Sequence, residues 1–282
     1  MRRLLPLLVV VSVGCDADSS PPDHPPPTPP AAVTSFDPAG CGTVGGRVTW
    51  SGARPKPEEF LFGVPKPDRS GFDIRMMPNP NAPAIDATTG AVAGAVVFLR
   101  GVDPAAAKPW DLPPVRVEMA DRQVVVRQGD GAASRAGFVR RGDAVTMTSR
   151  DPFFHVLRGR GAAFFSLTFP DPECASSRPF ETPGRVELSS GAGFYWASAD
   201  LFVADHPYYT LTDRDGRFTL TRVPEGAVEL VVWMPGWAAA RHDRDPESGL
   251  ITRMSYAAPI ERTRPVTTER GRLAEVAVAV AE

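Results

Sequence analysis

Thr212-Asp213-Arg214-Asp215-Gly216-Arg217-Phe218-Thr219-Leu220-Thr221 sets a tight turn against a strictly alternating run. Phe218 and Leu220 fall on one face and Arg217, Thr219 and Thr221 on the other, the two-residue period of a half-buried strand. Asp213-x-Asp215-Gly216 supplies a turn with Gly where positive φ is needed, so the segment reads as a hairpin. Outward from it, short β-branched and aromatic runs recur between turn clusters. Upstream they are expected at 44–50, 92–100, 115–119, 123–127, 144–148, 163–168, 185–189, 195–203 and 208–212. Downstream they follow at 228–233 and 273–280. The 25 Gly and 31 Pro make about a fifth of the 282 residues, where roughly 12% is usual. Helix interiors tolerate neither residue well. The class is all-β, built as sandwiches.

The charge balance, 31 basic against 33 acidic residues, argues against a nucleic-acid partner. The sequence carries no G-x-S-x-G elbow, H-E-x-x-H, P-loop or dinucleotide fingerprint, so no enzyme is expected. Glu58-Glu59 reads as a solvated pair, and Arg241-His242-Asp243-Arg244-Asp245 as an exposed loop open to a recognition role. A Ca²⁺ loop at Asp213 would need an acidic ligand at its twelfth position, where Pro224 stands. Trp196, Trp233 and Trp237 are either core residues or, if exposed, a stacking surface for an envelope protein or a glycan.

Residues 1–14 read as a signal peptide: basic Arg2-Arg3, then an apolar stretch from Leu4 too short to span a bilayer as a helix. Ser12-Val13-Gly14-Cys15 resembles the lipobox of bacterial lipoproteins, with Ser12 departing from the pattern, which implies acylation of Cys15. Asp16–Gly40 holds eight prolines and reads, within a 15–42 linker, as an extended tether holding the body off a membrane. The expected location is therefore the cell envelope, periplasm or outer membrane. With Cys15 lipidated, Cys41 and Cys174 remain, either as two buried thiols or as a disulfide of the exported chain. The bridge is the favoured reading, worth on the order of 4–5 kcal/mol in the chain-entropy account. Pro55–Gly90, with Pro78-Asn79-Pro80-Asn81, reads as a long irregular loop, and Gly129–Gly142, with Arg135, Arg140 and Arg141, as a shorter insertion.

Gly46-Arg47-Val48-Thr49-Trp50-Ser51-Gly52 and Ala95–Leu99 resemble the opening strands of carboxypeptidase-regulatory-like, transthyretin-type sandwiches. Thr212–Leu220, Val223-Pro224-Glu225-Gly226 and Val228–Leu230 are similar to their closing signature. The resemblance implies one sandwich over 43–101 and 206–282, split by an insertion at 102–205. That insertion resembles a cupredoxin: Gly142-Asp143-Ala144-Val145-Thr146-Met147 is similar to a G-D-x-V strand of the fold. His155, after Asp151-Pro152-Phe153-Phe154, lies where the first copper-ligating His is kept. The rest of the ligand run resembles C-x-x-H-x-W-M ahead of His206-Pro207-Tyr208-Tyr209. At its Cys, His and Met positions stand Gly191, Phe194 and Ala197.

A blue-copper site needs two imidazoles, a thiolate and a weak axial thioether. Of these His155 alone remains, so no cofactor is expected. The implied role is a non-catalytic binding or scaffolding module with a vestigial site. The alternative is copper binding or electron transfer through His155 with unorthodox ligands such as His206 or Met147.

Overall fold

The computed structural model describes residues 35–66, 68, 70–247, 249 and 251–281. The stretch read as a signal peptide, Cys15 and the expected linker up to residue 34 lie outside the described residues. A 3₁₀ turn at Pro38–Gly40 leads into β1 (Cys41–Trp50), followed by β2 (Phe60–Pro65), β3 (Phe72–Met77), β4 (Ala84–Ile85), β5 (Val92–Ala93) and β6 (Val96–Arg100). Nine strands come next: β7 (Val115–Ala120), β8 (Gln123–Gln128), β9 (Ala136–Arg140), β10 (Ala144–Ser149), β11 (His155–Gly161), β12 (Phe165–Phe169), β13 (Ala175–Pro179), β14 (Gly184–Ser190) and β15 (Ser198–Ala204). The chain closes with β16 (Tyr209–Leu211), β17 (Arg217–Pro224), β18 (Gly226–Met234), β19 (Ala239–Arg244), β20 (Ile251–Tyr256), β21 (Ile260–Thr268) and β22 (Leu273–Val280).

The fold is all-β, and its strands stack as two sandwiches. In the first, sheet β17-β1-β22 faces sheet β16-β6-β18-β21 across a core that includes Val44, Val48, Leu99, Phe218, Leu220, Leu230 and Val278. The alternation of 217–221 appears as predicted, Phe218 and Leu220 buried and their neighbours exposed. The turn before it corrects the hairpin reading. Asp213 Oδ1 accepts from Asp215 N (2.9 Å) and Arg217 N (2.8 Å), and Gly216 sits at φ +73°, but β16 and β17 belong to opposite sheets. The turn is an arch between layers. Its carboxylate is spent on backbone N–H groups, as an Asx turn requires.

In the second sandwich, sheet β13-β10-β7-β8 faces sheet β12-β11-β14-β15-β9 over Val117, Met147, Leu157, Phe169, Phe180, Leu188 and Leu201. A third cluster joins the two bodies. Val96 and Trp233, with Phe98 and Tyr209, meet Ala136, Phe138 and Phe202. Phe98 stacks on Tyr209 at 5.0 Å, and Phe202 meets Trp233 edge-on at 5.2 Å. β18 is therefore buried on both faces from Leu230 to Met234, which explains its unbroken apolar run.

Several segments correct their expected state. Pro55–Gly90 is not irregular throughout: β2 and β3 pair antiparallel within it. Asn79 and Asn81 are buried, their Nδ2 groups donating to Trp237 O (2.7 Å) and Gly236 O (2.9 Å). The Gly129–Gly142 stretch contains β9, which pairs in parallel with β15. The Arg241–Asp245 cluster lies largely on strand β19, paired with β20.

Burial pushes the phenols of Tyr208, Tyr209 and Tyr256 up to about 12. Unfolded phenols ionise near 10, so between those values the unfolded chain binds fewer protons and stability falls as pH rises. Urea midpoints are expected to hold to about pH 9.5 and then drop steadily toward pH 12, with a shallower drop in Tyr208→Phe. A midpoint unchanged up to about pH 11.5 would contradict this burial.

Candidate functional site

His155 opens β11 and is 2% exposed. Its Nε2 lies 2.8 Å from Asp151 Oδ2. The same carboxylate accepts from Asp121 N at 2.8 Å and Arg122 N at 2.9 Å, two residues held at φ 51° and 60° in the β7–β8 turn. Left-handed backbone at non-glycine residues carries strain, and Asp151 is what holds these two there. Aromatic rings close over the imidazole: Phe153 at 4.9 Å and Phe194 at 5.4 Å, themselves 5.7 Å apart. Trp196 packs on Phe194 at 5.6 Å and its Nε1 donates to Arg122 O at 3.0 Å. The Arg122 guanidinium covers the Phe153 ring at 4.8 Å. This end of the sandwich is filled by packed rings and hydrogen bonds.

Phe194 thus stands beside His155, as the resemblance placed it. Gly191 does not. A Cβ there would lie 2.8 Å from Val156 Cγ1 and 2.7 Å from Arg158 Nε, on the outer face of β11, because Val156 and Arg158 alternate with inward His155 and Leu157. The inward position at the end of β14 is Ser190, opposite Leu157, and its Oγ accepts from Ala192 N. Ala197 is buried and offers no donor atom. Met147 is wholly buried in the second core. His206 packs instead against Tyr208 and Tyr209 at 5.6 and 5.7 Å; burial pushes its imidazole down, and its Nδ1 has no hydrogen-bond partner among the described residues. Among the described residues no group of three or more His, Cys, Asp or Glu is placed to hold a metal ion. The residues around His155 do not fit copper.

The favoured disulfide is corrected, and the choice left open for the tryptophans falls to the core. Among the described residues Cys41 and Cys174 are both free and are not bridged to each other. Cys41 opens β1 of the first sandwich, its thiol donating to Asp37 O at 3.1 Å, while Cys174 packs against the core of the second. The chain commits the two thiols to different bodies. Trp196, Trp233 and Trp237 are 3%, 6% and 5% exposed and present no stacking surface. Trp237 instead meets Trp50 edge-on at 5.4 Å.

A polar concavity lies elsewhere, on the outer face of β11, β14 and β15. Register aligns Arg158 with Ser189 and Ser198 across this sheet, and Arg160 with Glu187 and Asp200. Pro235-Gly236 and the Arg253–Pro259 segment face them across a cleft of about 400 Å³. The opposite wall is close-built: a Cβ at Gly236 would lie 2.0 Å from Ala257 O. Arg185 Nε bonds Asp200 Oδ1 at 2.7 Å and its guanidinium covers Trp233 at 4.8 Å. Arg135 donates to Ser198 O and Oγ, both at 2.6 Å. Burial pushes the Asp200 carboxyl up despite both arginines and the Arg135 guanidinium down. Sequence reading missed this cleft, because Arg158 and Arg160 fall in a strand it did not predict.

No family model matches the chain, and no curated protein matches it. Among solved structures it is similar to a Cu-containing nitrite reductase from Thermus scotoductus SA-01, at 15% identity and TM-score 0.27, over 35% of this chain. It spans 24% of that reductase's length. It is also similar to a Cu(I) form of an amicyanin variant, at 17% identity and TM-score 0.26, over 38% of this chain and 98% of that one. A purple cupredoxin from Nitrosopumilus maritimus is similar at 16% identity and TM-score 0.25, over 32% of this chain and 98% of that one.

Proposed function

We propose that this chain is a non-catalytic binding or scaffolding module of the cell envelope, tethered through lipid on Cys15. In this reading its second sandwich is a cupredoxin-type shell that has given up its metal. One observation carries the loss of metal: His155 has its Nε2 committed to Asp151 and its ring enclosed by Phe153 and Phe194. A blue-copper centre asks for a second imidazole and a thiolate at this place, and Phe194 and the outward-facing Gly191 supply neither. The same enclosure argues against His155 as a general base, which must reach the proton it takes. The lipid tether rests on the sequence around Cys15, and the membrane is its partner.

Equilibrium dialysis against Cu(II) and, under reducing conditions, Cu(I) tests the reading on the full-length protein and on His155→Ala. The expected result is the same weak, substoichiometric copper in both, with no intense visible absorption. One equivalent of copper bound by the parent and lost in His155→Ala would overturn it in favour of an electron-transfer or copper-carrying role.

A further inference from the structure

We propose that the arginine-lined cleft between the β11–β14–β15 face and the Arg253–Pro259 segment binds a small oxyanion carried on a hydroxylated frame, a sugar phosphate or a sugar carboxylate. The proposal rests on the binding-module reading and gives it a site and a ligand class.

The charge balance of the cleft sets the sign of the ligand. Arg185 is committed to Asp200 and lies 3.5 Å from Glu187. Among the described residues no carboxylate lies within ion-pair distance of Arg158, Arg160 or Arg253. Four cleft arginines therefore face two carboxylates, and the surplus sits on both walls: Arg158 and Arg160 on the sheet, Arg253 across from them. Guanidinium groups fork onto carboxylate and phosphate oxygens in bidentate fashion, which lysines do not match.

The remaining polar groups point to a hydroxylated frame. Ser189 and Ser198 form the row beside Arg158, with Ser198 fixed from behind by Arg135. Tyr256 places a buried hydroxyl with no hydrogen-bond partner among the described residues at the same cleft. A buried hydroxyl left unsatisfied is costly, and a ligand hydroxyl or oxyanion would satisfy it. The volume of about 400 Å³ falls in the lower range of small-molecule pockets, enough for one sugar ring with its charged group.

Isothermal titration of the full-length protein with inorganic phosphate, glucose 6-phosphate, glucuronate and glucose tests this. The first three distinguish the oxyanion and the frame, and glucose is the neutral control. Saturable binding of glucose 6-phosphate or glucuronate, with none for glucose, is expected. Arg158→Ala/Arg160→Ala should weaken it by about tenfold or more, two forked contacts being removed. Arg140→Ala/Arg270→Ala, which removes equal charge from exposed sites away from the cleft, should leave it within about twofold, since the effect is local. Both pairs are solvent-exposed, so folding is preserved, checked by an unchanged urea midpoint. Binding equally weakened by both pairs, or phosphate bound without regard to Arg158 and Arg160, would overturn the proposal, as would no binding of any anion. That failure would leave the metal-free module intact. Turnover of a bound sugar phosphate would instead overturn the non-catalytic reading while supporting the cleft.

Discussion

Trp233→Ala is expected to destabilise the protein by about 3–5 kcal/mol, the range for deleting a buried aromatic side chain whose site cannot collapse. Trp233 is 6% exposed and belongs to the cluster that joins the two sandwiches. It meets Phe202 from the second sandwich at 5.2 Å and lies under the Arg185 guanidinium at 4.8 Å. Its loss therefore removes an aromatic contact and a cation–π contact and uncovers a guanidinium that also pairs with buried Asp200. Chemical denaturation read by circular dichroism checks this. A loss below about 1 kcal/mol would show that the two bodies do not depend on this cluster. Had Trp233 been a ligand platform at the surface, the same change would leave stability almost untouched.

Asp151→Ala is expected to cost a similar amount, about 3–5 kcal/mol, because three hydrogen bonds to one buried carboxylate are lost together. His155 Nε2 loses its partner in a ring-lined enclosure, and the Asp121 and Arg122 N–H groups lose the acceptor that fixes their left-handed turn. Asp151→Asn keeps an acceptor oxygen and is expected to fall between the parent and the alanine variant. Urea denaturation measures the free energies, and amide exchange at Asp121 and Arg122 localises the loss. A neutral Asp151→Ala would mean that the imidazole and the turn hold themselves in place.

Strand content was readable where pattern and burial agree. Arg217–Thr221 alternates because one face is core and the other water, and Leu273–Val280 runs along β1 in the same manner. The reading failed where packing overrides propensity. His155–Gly161 carries Arg158-Gly159-Arg160-Gly161, a poor strand by composition. Yet Gly159 is required, since a Cβ there would lie 2.1 Å from Phe165 Cε1. β9 was hidden because it joins β15 in parallel and so needs no hairpin turn to announce it. β21 contains Pro265, tolerated because β21 is an edge strand bonded on one side to β18.

The site was legible in part for the same reason. His155 and Phe194 stand side by side because both face inward at one end of the second sandwich. Gly191 was misread because spacing along the chain does not report which face a residue takes, and a single step reverses it. Trp196, Trp233 and Trp237 stayed open between core and surface in the sequence because their burial depends on how the layers and bodies stack, which no local window contains. The cleft needed three strands and a distant loop brought together, so its arginines looked like scattered charge.

In the proposed reading His155 is a structural imidazole, its Nε2 held by Asp151 and its ring enclosed by Phe153 and Phe194. Imidazole ¹⁵N–¹H correlation spectra recorded while Cu(II) is added test it most directly, because the paramagnetic ion bleaches resonances close to where it binds. The expected result is that the His155 cross-peaks survive a full equivalent of copper, while those of exposed His242 on β19 broaden. Loss of the His155 peaks ahead of His242 would place copper at the buried end and overturn the metal-free reading.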